Sequence, residues 1–153
     1  MLFTALGRHP SIEVFGNDYP TPDGTCIHDY VHACDLAEAH VAALNWLAAG
    51  EPSNSFNLGN GSGFSVAEVI RTAEEITGLP IRASMRPRRS GDPPSLISDS
   101  KKARQLLGWT PGFPDLKQQI DHAWKWFRNQ APKLVSAASQ SGPPVPKMGQ
   151  RNV

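Results

Sequence analysis

The sequence predicts a mixed α/β fold, because short β-rich segments alternate with segments that carry apolar residues at helical spacing. The chain has 153 residues, 39% hydrophobic and 19% charged, which is typical of one globular domain. About three strands can be identified, fewer than a self-standing doubly wound sheet usually has. We therefore expect the smaller lobe of a larger enzyme, and the helix-like opening segment 1–7 indicates a chain that begins within that larger fold.

The predicted strands lie in the first half of the chain. Segment 12–16 (IEVFG) is rich in residues that favour strands and is bounded by Pro and Gly. Turn-forming residues over 17–25 precede a second predicted strand, CIHDYVHA (26–33). A third strand is predicted over 55–60 (SFNLGN), directly before a Gly-rich turn.

Two helices are predicted from capping signals. Asp35-x-x-Glu38 and Ser65-x-x-Glu68 both have the spacing of a capping box, and apolar residues at helical spacing follow each of them. The second helix should end at Gly78, since glycine is favoured just past a helix C-terminus.

The second half of the chain predicts two more helices. A short one begins after Asp99 or Ser100 and ends at Gly108, and an amphipathic one spans 113–130. Beyond this point the chain is rich in Ser, Pro, Gln and Gly. The predicted organisation is a folded lobe over 1–130 and a disordered Pro- and Ser-rich tail over 131–153.

Charge and hydropathy exclude several classes of function. The formal net charge of +1 gives no drive toward nucleic acid or an anionic membrane. No apolar run approaches the roughly 20 residues that a membrane span needs. The first residues also lack the order of regions found in a signal peptide. We expect a cytoplasmic chain that binds neither nucleic acid nor membrane.

Four metal-ligand types cluster in one window, namely Cys26, His28, His32 and Cys34. If this window is a strand, all four side chains lie on one face. The two cysteines would then stand roughly 26 Å apart at about 3.3 Å per residue, whereas zinc ligands lie about 2.0–2.3 Å from the metal. We predict no metal site.

Patterns of catalytic chemistry are scarce. The chain has no G-x-S-x-G and no G-x-G-x-x-G, so we assign no catalytic residue. The Gly-rich segment GNGSG (59–63) is compatible with a strand-to-helix turn or with a phosphate contact. Segment RPRRSGDPP (86–94) is compatible with a solvated basic loop or with pyrophosphate recognition, since arginine forms forked hydrogen bonds to phosphate oxygens.

Three ordered motifs carry a family resemblance: VFGNDYPTPDGTCIHDYVHACDLAEAHVAAL (14–44), FNLGNGSGFSVAEVI (56–70) and RRSGDPPSLISDSKKARQLLGW (88–109). Over residues 2–129 the chain resembles the C-terminal half of the UDP-glucose 4-epimerase family, in the extended short-chain dehydrogenase/reductase superfamily. The resemblance implies a UDP-sugar-binding C-terminal lobe. It also implies that the Rossmann lobe, which carries NAD, the Tyr-x-x-x-Lys pair and the dimer contacts of the family, is missing here.

The implied activity is interconversion of UDP-glucose and UDP-galactose through a 4-keto intermediate, with NAD as hydride carrier and a UDP-hexose as partner. Because the sequence contains no Tyr-x-x-x-Lys and no GxxGxxG-type loop, the chain alone is expected to be inactive. Two alternatives stay open at this point. One is another nucleotide-sugar epimerase or dehydratase of the superfamily, and the other is a non-catalytic nucleotide-sugar-binding module.

The resemblance assigns substrate-binding roles to five residues. It implies that Arg89 contacts the pyrophosphate and Asp92 a ribose hydroxyl. Glu13 and Phe15 align with positions that meet the uracil, largely through main-chain groups. Tyr30 aligns with a tyrosine near the diphosphate.

Two further site residues are specific to this chain. His28 stands where the family has an arginine that contacts the diphosphate, and a histidine is shorter and lacks the permanent, forked charge. We expect UDP-sugar binding to be weaker as a result. Leu96 falls where the family varies the side chain that limits sugar size, so the resemblance implies an influence on acceptance of N-acetyl-hexoses.

Overall fold

The computed structural model describes residues 1–138, with side chains through residue 130. Five helices and five short strands make up this part of the chain, so the predicted mixed α/β class is confirmed. In chain order they are α1 (Leu2–Ala5), β1 (Ile12–Phe15), β2 (Ile27–Asp29), α2 (Ala33–Ala48), β3 (Gly63–Ser65), α3 (Val66–Thr77), β4 (Ala83–Arg86), β5 (Ser95–Leu96), α4 (Lys101–Leu107) and α5 (Leu116–Ala138).

The strands form two small sheets. Strand β1 pairs in parallel with β4, with Ile12 opposite Ala83 and Phe15 opposite Arg86. Strand β2 is central in the second sheet, antiparallel to β3 and parallel to β5. The chain thus crosses between the sheets three times, and the last crossing places the segment after β4 beside both sheets.

The core is divided between two helix contacts. Helices α3 and α5 bury one apolar cluster and α2 and α4 bury the other, which is centred on Trp109. Burial of a large apolar side chain stabilises the fold by about 1.5–3 kcal/mol, so the large buried side chains of both clusters contribute to the stability of the fold. The first cluster is Val69, Ala73, Ile81, Leu116 and Ile120, and the second is Ala39, Ala103 and Trp109.

The predicted strand over 26–33 is wrong in its length. Strand β2 ends at Asp29, and helix α2 begins at Ala33. The main-chain oxygen of Tyr30, just beyond the strand, accepts hydrogen bonds from side chains and not from a neighbouring strand. The donors are Asn60 Nδ2 at 3.1 Å and Gln119 Nε2 at 3.2 Å. These two contacts from distant segments turn the chain out of the sheet.

The capping box predicted at Asp35 is also wrong. The N-cap is His32, whose Nδ1 accepts from Cys34 N at 3.1 Å. Asp35 lies in the first turn, 1% exposed. Its two carboxylate oxygens accept from Gly112 N at 2.9 Å and Phe113 N at 3.2 Å. The Asp35 carboxylate therefore binds the loop at 112–113 and does not cap the helix as the local sequence pattern predicted.

The strand predicted over 55–60 does not form, and β3 lies instead at Gly63–Ser65. Asn60 is held by side chains, since its N donates to Asp29 Oδ1 at 3.1 Å. Phe56 and Leu58 pack on the Trp109 cluster. The apolar residues of this segment thus pack on the core, although the segment itself has no regular secondary structure.

The ends of α3 and α4 agree with those predicted from the sequence. The capping box of Ser65 with Glu68 is present, and Gly78 and Gly108 both adopt the left-handed conformation that ends α3 and α4. At the start of α4, Asp99 Oδ1 accepts from Lys101 N at 2.9 Å, while Ser100 occupies the N-cap position. The predicted tail, 131–153, starts within α5, and residues 139–153 lie outside the described residues, so the disordered tail stays a prediction.

Helix α2 exposes an apolar face. Ala39 is buried on one side of the helix, whereas Val41, Leu44 and Leu47 are 57%, 65% and 51% exposed. A helix that is apolar on both sides usually packs against two neighbours. Within the described part, no helix is long and apolar enough to span a bilayer, and the cytoplasmic location stays a prediction.

Candidate functional site

Strand β1 presents an open main-chain edge. Ile12 N and Gly16 N donate to Arg82 O and Arg86 O, both at 2.9 Å. Because main-chain groups alternate in direction along a strand, the N–H and C=O groups of Glu13 and Phe15 point away from β4. Among the described residues β4 is the one strand paired with β1, so these groups are available to an external ligand.

The predicted residues Phe15, Arg89 and Asp92 lie together beside this edge. The guanidinium carbon of Arg89 is 4.7 Å from the centroid of the Phe15 ring, a cation–π distance. Its Nε donates to Asp92 Oδ2 at 2.8 Å. The Arg89 side chain is 59% exposed. The arrangement fixes the direction of the guanidinium while the remaining N–H groups of its fork stay accessible.

Two further arginines of the same segment are engaged in ion pairs. Arg86 lies 2.8 Å from Glu13 Oε1. Arg88 Nε donates to Asp18 Oδ1 at 2.7 Å, and Arg88 Nη2 also donates to the main-chain oxygen of Asp18. The hydrogen bond from Arg88 holds the pKa of Asp18 below its ordinary value. All three arginines are thus in ion pairs, with side chains that are 54%, 41% and 59% exposed for Arg86, Arg88 and Arg89.

The pairing of Arg88 with Asp18 was missed by the sequence reasoning. Its guanidinium also stacks on the ring of Tyr19 at 4.1 Å, and Tyr19 is 5% exposed. The contact fastens the loop after β1 to the segment after β4. The 70-residue separation in sequence leaves no local signal for this pair.

His28 and Leu96 lie opposite each other on the paired strands β2 and β5. Both line a cavity of about 480 Å³, together with Asp29 and Asp99. Asp29 supports the cavity wall, because its Oδ2 accepts from Ser98 N at 3.2 Å. The half-buried Asp29 carboxylate accepts from two main-chain donors, Asn60 N and Ser98 N, and so holds the segments on both sides of it, a role that the sequence pattern did not suggest.

The two groups of site residues are joined by a short stretch of chain. Only Pro93, Pro94 and Ser95 separate Asp92 from Leu96. Ile27 N donates to Pro94 O at 3.0 Å, which fastens this stretch to β2. Four residues of extended chain span at most about 14 Å. The Cα atoms of Asp92 and Leu96 therefore lie no more than about 14 Å apart.

The structure places Tyr30 apart from these groups. Its side chain packs on the core cluster between α3 and α5, and its ring centroid is 6.5 Å from that of Phe64. Burial raises the pKa of the Tyr30 hydroxyl, so the hydroxyl stays protonated and can donate. Tyr30 lines a separate groove that also contains His32 and Trp126.

The four residues weighed as zinc ligands are dispersed. Cys26 is buried and Cys34 is exposed. His28 faces the cavity with Leu96, and His32 caps α2. No group of three or more His, Cys, Asp or Glu side chains that could hold a metal ion occurs among the residues that the structure describes.

The Gly-rich segment serves protein packing. A side chain at Gly59 would place its Cβ 2.2 Å from Asp29 Oδ2, and one at Gly63 would lie 2.4 Å from Ile27 Cγ2. The N-terminus of α3 is occupied by the Ser65 cap. In the described part of the chain no strand directly precedes the segment, and Gly63 begins β3, so the predicted strand-to-helix turn is wrong: the segment leads from an irregular path into a strand.

Comparison with known proteins shows what this chain is similar to. A UDP-glucose 4-epimerase from Halalkalibacterium halodurans is 52% identical over 128 residues, which cover 84% of this chain and 38% of that protein. A crystal structure of UDP-glucose 4-epimerase matches with a TM-score of 0.80 at 48% identity, covering 85% of this chain and 40% of its own. The enzyme from Stenotrophomonas maltophila, solved with bound NAD and formylated UDP-arabinopyranose, matches with a TM-score of 0.79 at 40% identity, covering 86% and 39%.

The resemblance to the UDP-glucose 4-epimerase family is thus confirmed, and the chain spans about two fifths of the length of the relatives that it matches. The family model described as GDP-mannose 4,6 dehydratase matches residues 2–119. The chain therefore belongs to the family whose model is described as GDP-mannose 4,6 dehydratase, and the relatives compared with it are UDP-glucose 4-epimerases.

Proposed function

We propose that this chain is the UDP-sugar-binding part of a UDP-glucose 4-epimerase. The observation that carries the proposal is the position of Arg89, stacked on Phe15 and paired with Asp92 beside the open edge of β1. The base of a UDP-sugar needs main-chain donors and acceptors, the ribose needs a carboxylate, and the diphosphate needs a cation that can form two parallel hydrogen bonds. These three elements lie next to one another here.

The uracil is assigned to the open edge of β1. The C=O of Glu13 and the N–H of Phe15 point to the same side, two positions apart along the strand. An acceptor and a donor at this spacing suit the N3–H of uracil and one of the adjacent carbonyl oxygens. The Glu13 carboxylate is paired with Arg86, which agrees with a role for Glu13 through its main chain.

The pyrophosphate is assigned to Arg89 and a ribose hydroxyl to Asp92. Arg89 uses Nε for Asp92, so its terminal N–H groups can form charge-assisted hydrogen bonds to phosphate oxygens. Asp92 has a second carboxylate oxygen for the ribose. Tyr30 is assigned to the diphosphate by resemblance alone, since it lies in a separate groove.

The hexose is assigned to the cavity shared by His28 and Leu96. Leu96 is 60% exposed and adds an apolar side chain to a wall that also contains the carboxylates Asp29 and Asp99. A hexose in this cavity would therefore meet both apolar and hydrogen-bonding groups. The size of residue 96 would then set whether an N-acetyl-hexose is accepted.

The residues of this chain do not fit NAD. Gly59 and Gly63 face protein atoms rather than a ligand, and the sequence has neither a GxxGxxG-type loop nor Tyr-x-x-x-Lys. We infer that hydride chemistry requires a further polypeptide part and that this chain alone is inactive. The exposed apolar face of α2 suits contact with such a part. The dimer contacts of the family would lie in that further polypeptide part as well.

Titration calorimetry with UDP, UDP-glucose and NAD tests the proposal on the purified 153-residue chain. We expect UDP and UDP-glucose to bind and NAD not to bind. Epimerase activity of the chain without added protein, or binding of NAD, would show that the assignment of a substrate-binding part is wrong. Absence of UDP binding would show that the site is not functional in this chain.

Replacement of His28 by arginine is expected to strengthen UDP binding. An arginine can add a charge-assisted hydrogen bond, worth about 1–3 kcal/mol, which lowers the Kd about 5- to 150-fold. The measurement is calorimetry on His28→Arg beside wild type. His40→Arg adds the same charge on the exposed side of α2 and is expected to leave the Kd within twofold. An unchanged Kd in His28→Arg contradicts the prediction.

A further inference from the structure

Arg88 joins two segments that are distant in sequence, the loop after β1 and the segment after β4. Its Nε donates to Asp18 Oδ1 at 2.7 Å, and its Nη2 donates to the main-chain oxygen of the same residue. The guanidinium carbon lies 4.1 Å from the centroid of the Tyr19 ring, a cation–π distance. Arg88 thus makes three separate contacts with one short loop.

The loop that Arg88 contacts is itself held in place. Tyr19 is buried, its N donates to Gly24 O at 2.9 Å, and its O accepts from Thr21 N at 2.7 Å. An exposed ion pair alone would restrain an arginine only weakly. Stacking on a buried ring adds a surface of fixed orientation, so the guanidinium of Arg88 has a defined position.

The space for this contact depends on Gly16. The residue has a φ of +85°, and a Cβ at this position would lie 2.4 Å from Tyr19 Cε2 and 2.8 Å from Arg88 Cγ. Both distances are too short for carbon atoms in contact. Gly16 directly follows Phe15, the residue on which Arg89 stacks. The end of β1 therefore packs against both arginines through adjacent residues.

The contacts of Arg88 fasten the chain where strand pairing has ended. The pairing of β4 with β1 stops at Arg86, and Pro87 has no N–H to donate. Arg89 follows directly, with its Cα about 3.8 Å from that of Arg88. A shift of Arg88 would therefore move the base of the Arg89 side chain, whose guanidinium stacks on Phe15.

Arg88 lines a cavity that does not include the group of Phe15, Arg89 and Asp92. This cavity of about 500 Å³ also contains Asp18, and the three residues of the group are not among its described lining residues. The hydrogen bond from Arg88 holds the pKa of Asp18 below its ordinary value, so the pair is ionised at neutral pH. A ligand on Arg89 therefore need not contact Arg88.

We propose that Arg88 is a positioning residue of the nucleotide-sugar site, which holds Arg89 in place for the pyrophosphate through its contacts with Asp18 and Tyr19. The inference rests on the proposed function, because it takes the pyrophosphate as the ligand of Arg89. It predicts an effect opposite in sign to that of charge alone. Removal of an acid near an anionic ligand strengthens binding electrostatically, whereas removal of Asp18 should weaken binding because it releases Arg88.

Calorimetry with UDP on Asp18→Ala measures this sign. We expect the Kd for UDP to rise about 3- to 10-fold, as for residues coupled in one network. Asp18→Asn is the matched control, since it removes the same charge but keeps an oxygen that accepts from Arg88, and its Kd should stay within about twofold of wild type. An unchanged or lower Kd in Asp18→Ala, or equal rises in both variants, would overturn the positioning role.

The same substitution in an Arg89→Ala background tests whether Asp18 acts through Arg89. Once the Arg89 guanidinium is absent, Asp18→Ala should change the Kd for UDP less than about twofold. A rise as large as that in the wild-type background would overturn the proposal. The side chains of Arg88 and Asp18 are 41% and 71% exposed, so both variants should fold, and urea denaturation checks this.

Nitrogen NMR of the full chain without ligand separates this inference from the proposed function. The heteronuclear NOE of Arg89 Nε reports fast motion of its guanidinium. We expect restricted motion in wild type and Asp18→Asn, and greater motion in Asp18→Ala. Equal motion in wild type and Asp18→Ala overturns the positioning role. Absence of UDP binding by the wild-type chain rejects the proposed function, and with it the pyrophosphate as the ligand, whereas the NMR comparison still decides whether Arg88 positions Arg89.

Discussion

Asp35→Ala is expected to lower the free energy of unfolding by about 2–5 kcal/mol. The carboxylate is 1% exposed and accepts from Gly112 N and Phe113 N. The alanine variant removes the hydrogen bonds from exposed Gly112 and half-buried Phe113, and a hydrogen bond to a charged group contributes about 1.5–3 kcal/mol. Small domains have only about 5–15 kcal/mol in total, so the variant should be partly unfolded at 37 °C. Urea denaturation followed by circular dichroism measures the loss.

Two variants separate this contact from a general effect on the helix. Glu38→Ala removes an exposed carboxylate of the same helix and should change the free energy of unfolding by no more than about 0.5 kcal/mol. Asp35→Asn keeps one acceptor but sets an amide N–H against a main-chain N–H, so it should be nearly as destabilising as alanine. A loss below 0.5 kcal/mol in Asp35→Ala would refute the assigned role.

The same residue shows where local patterns suffice and where they do not. Ser65 and Glu68 form the predicted capping box, because both partners lie within four residues. Asp35 and Glu38 have the same spacing, but the Asp35 carboxylate binds a loop more than seventy residues away. Sequence spacing defines which local contacts are possible, and long-range donors decide which of them form.

Strand prediction failed for a related reason. The β-rich residues of 26–33 correctly predict β2, yet Asn60 and Gln119 bind the Tyr30 carbonyl and end the sheet at Asp29. Segments 12–16 and 83–86 are paired with each other across the chain. Their pairing exposes one edge of β1, a property that the sequence of either strand alone does not reveal.

The predicted site residues fall into three places. Glu13, Phe15, Arg89 and Asp92 lie together, His28 and Leu96 share a cavity, and Tyr30 faces another groove. The family resemblance supplied the identity of these residues, because their side chains follow no periodic pattern. Their predicted contacts with the UDP-sugar stay predictions.

Arg89→Ala is expected to raise the Kd for UDP about 10- to 150-fold. The loss corresponds to about 1.5–3 kcal/mol, the contribution of hydrogen bonds to a charged group. Stability should change little, since the side chain is 59% exposed and its pair with Asp92 is an exposed ion pair. Calorimetry with UDP measures the Kd, and urea denaturation confirms that the variant is folded.

Arg89→Lys and Arg82→Ala distinguish a specific contact from the general field of the basic segment. Lysine keeps the charge but loses the fork and the stacking on Phe15, so its Kd should lie between those of wild type and Arg89→Ala. Arg82 precedes β4, is exposed and stands outside the Phe15–Arg89–Asp92 group. Its alanine variant removes the same charge and should shift the Kd for UDP less than threefold at 150 mM salt. At this ionic strength, interactions between exposed charges more than about 8 Å apart are largely screened. Equal losses in Arg82→Ala and Arg89→Ala would mean that UDP responds to net charge, and Arg89 would then lose its assignment to the pyrophosphate.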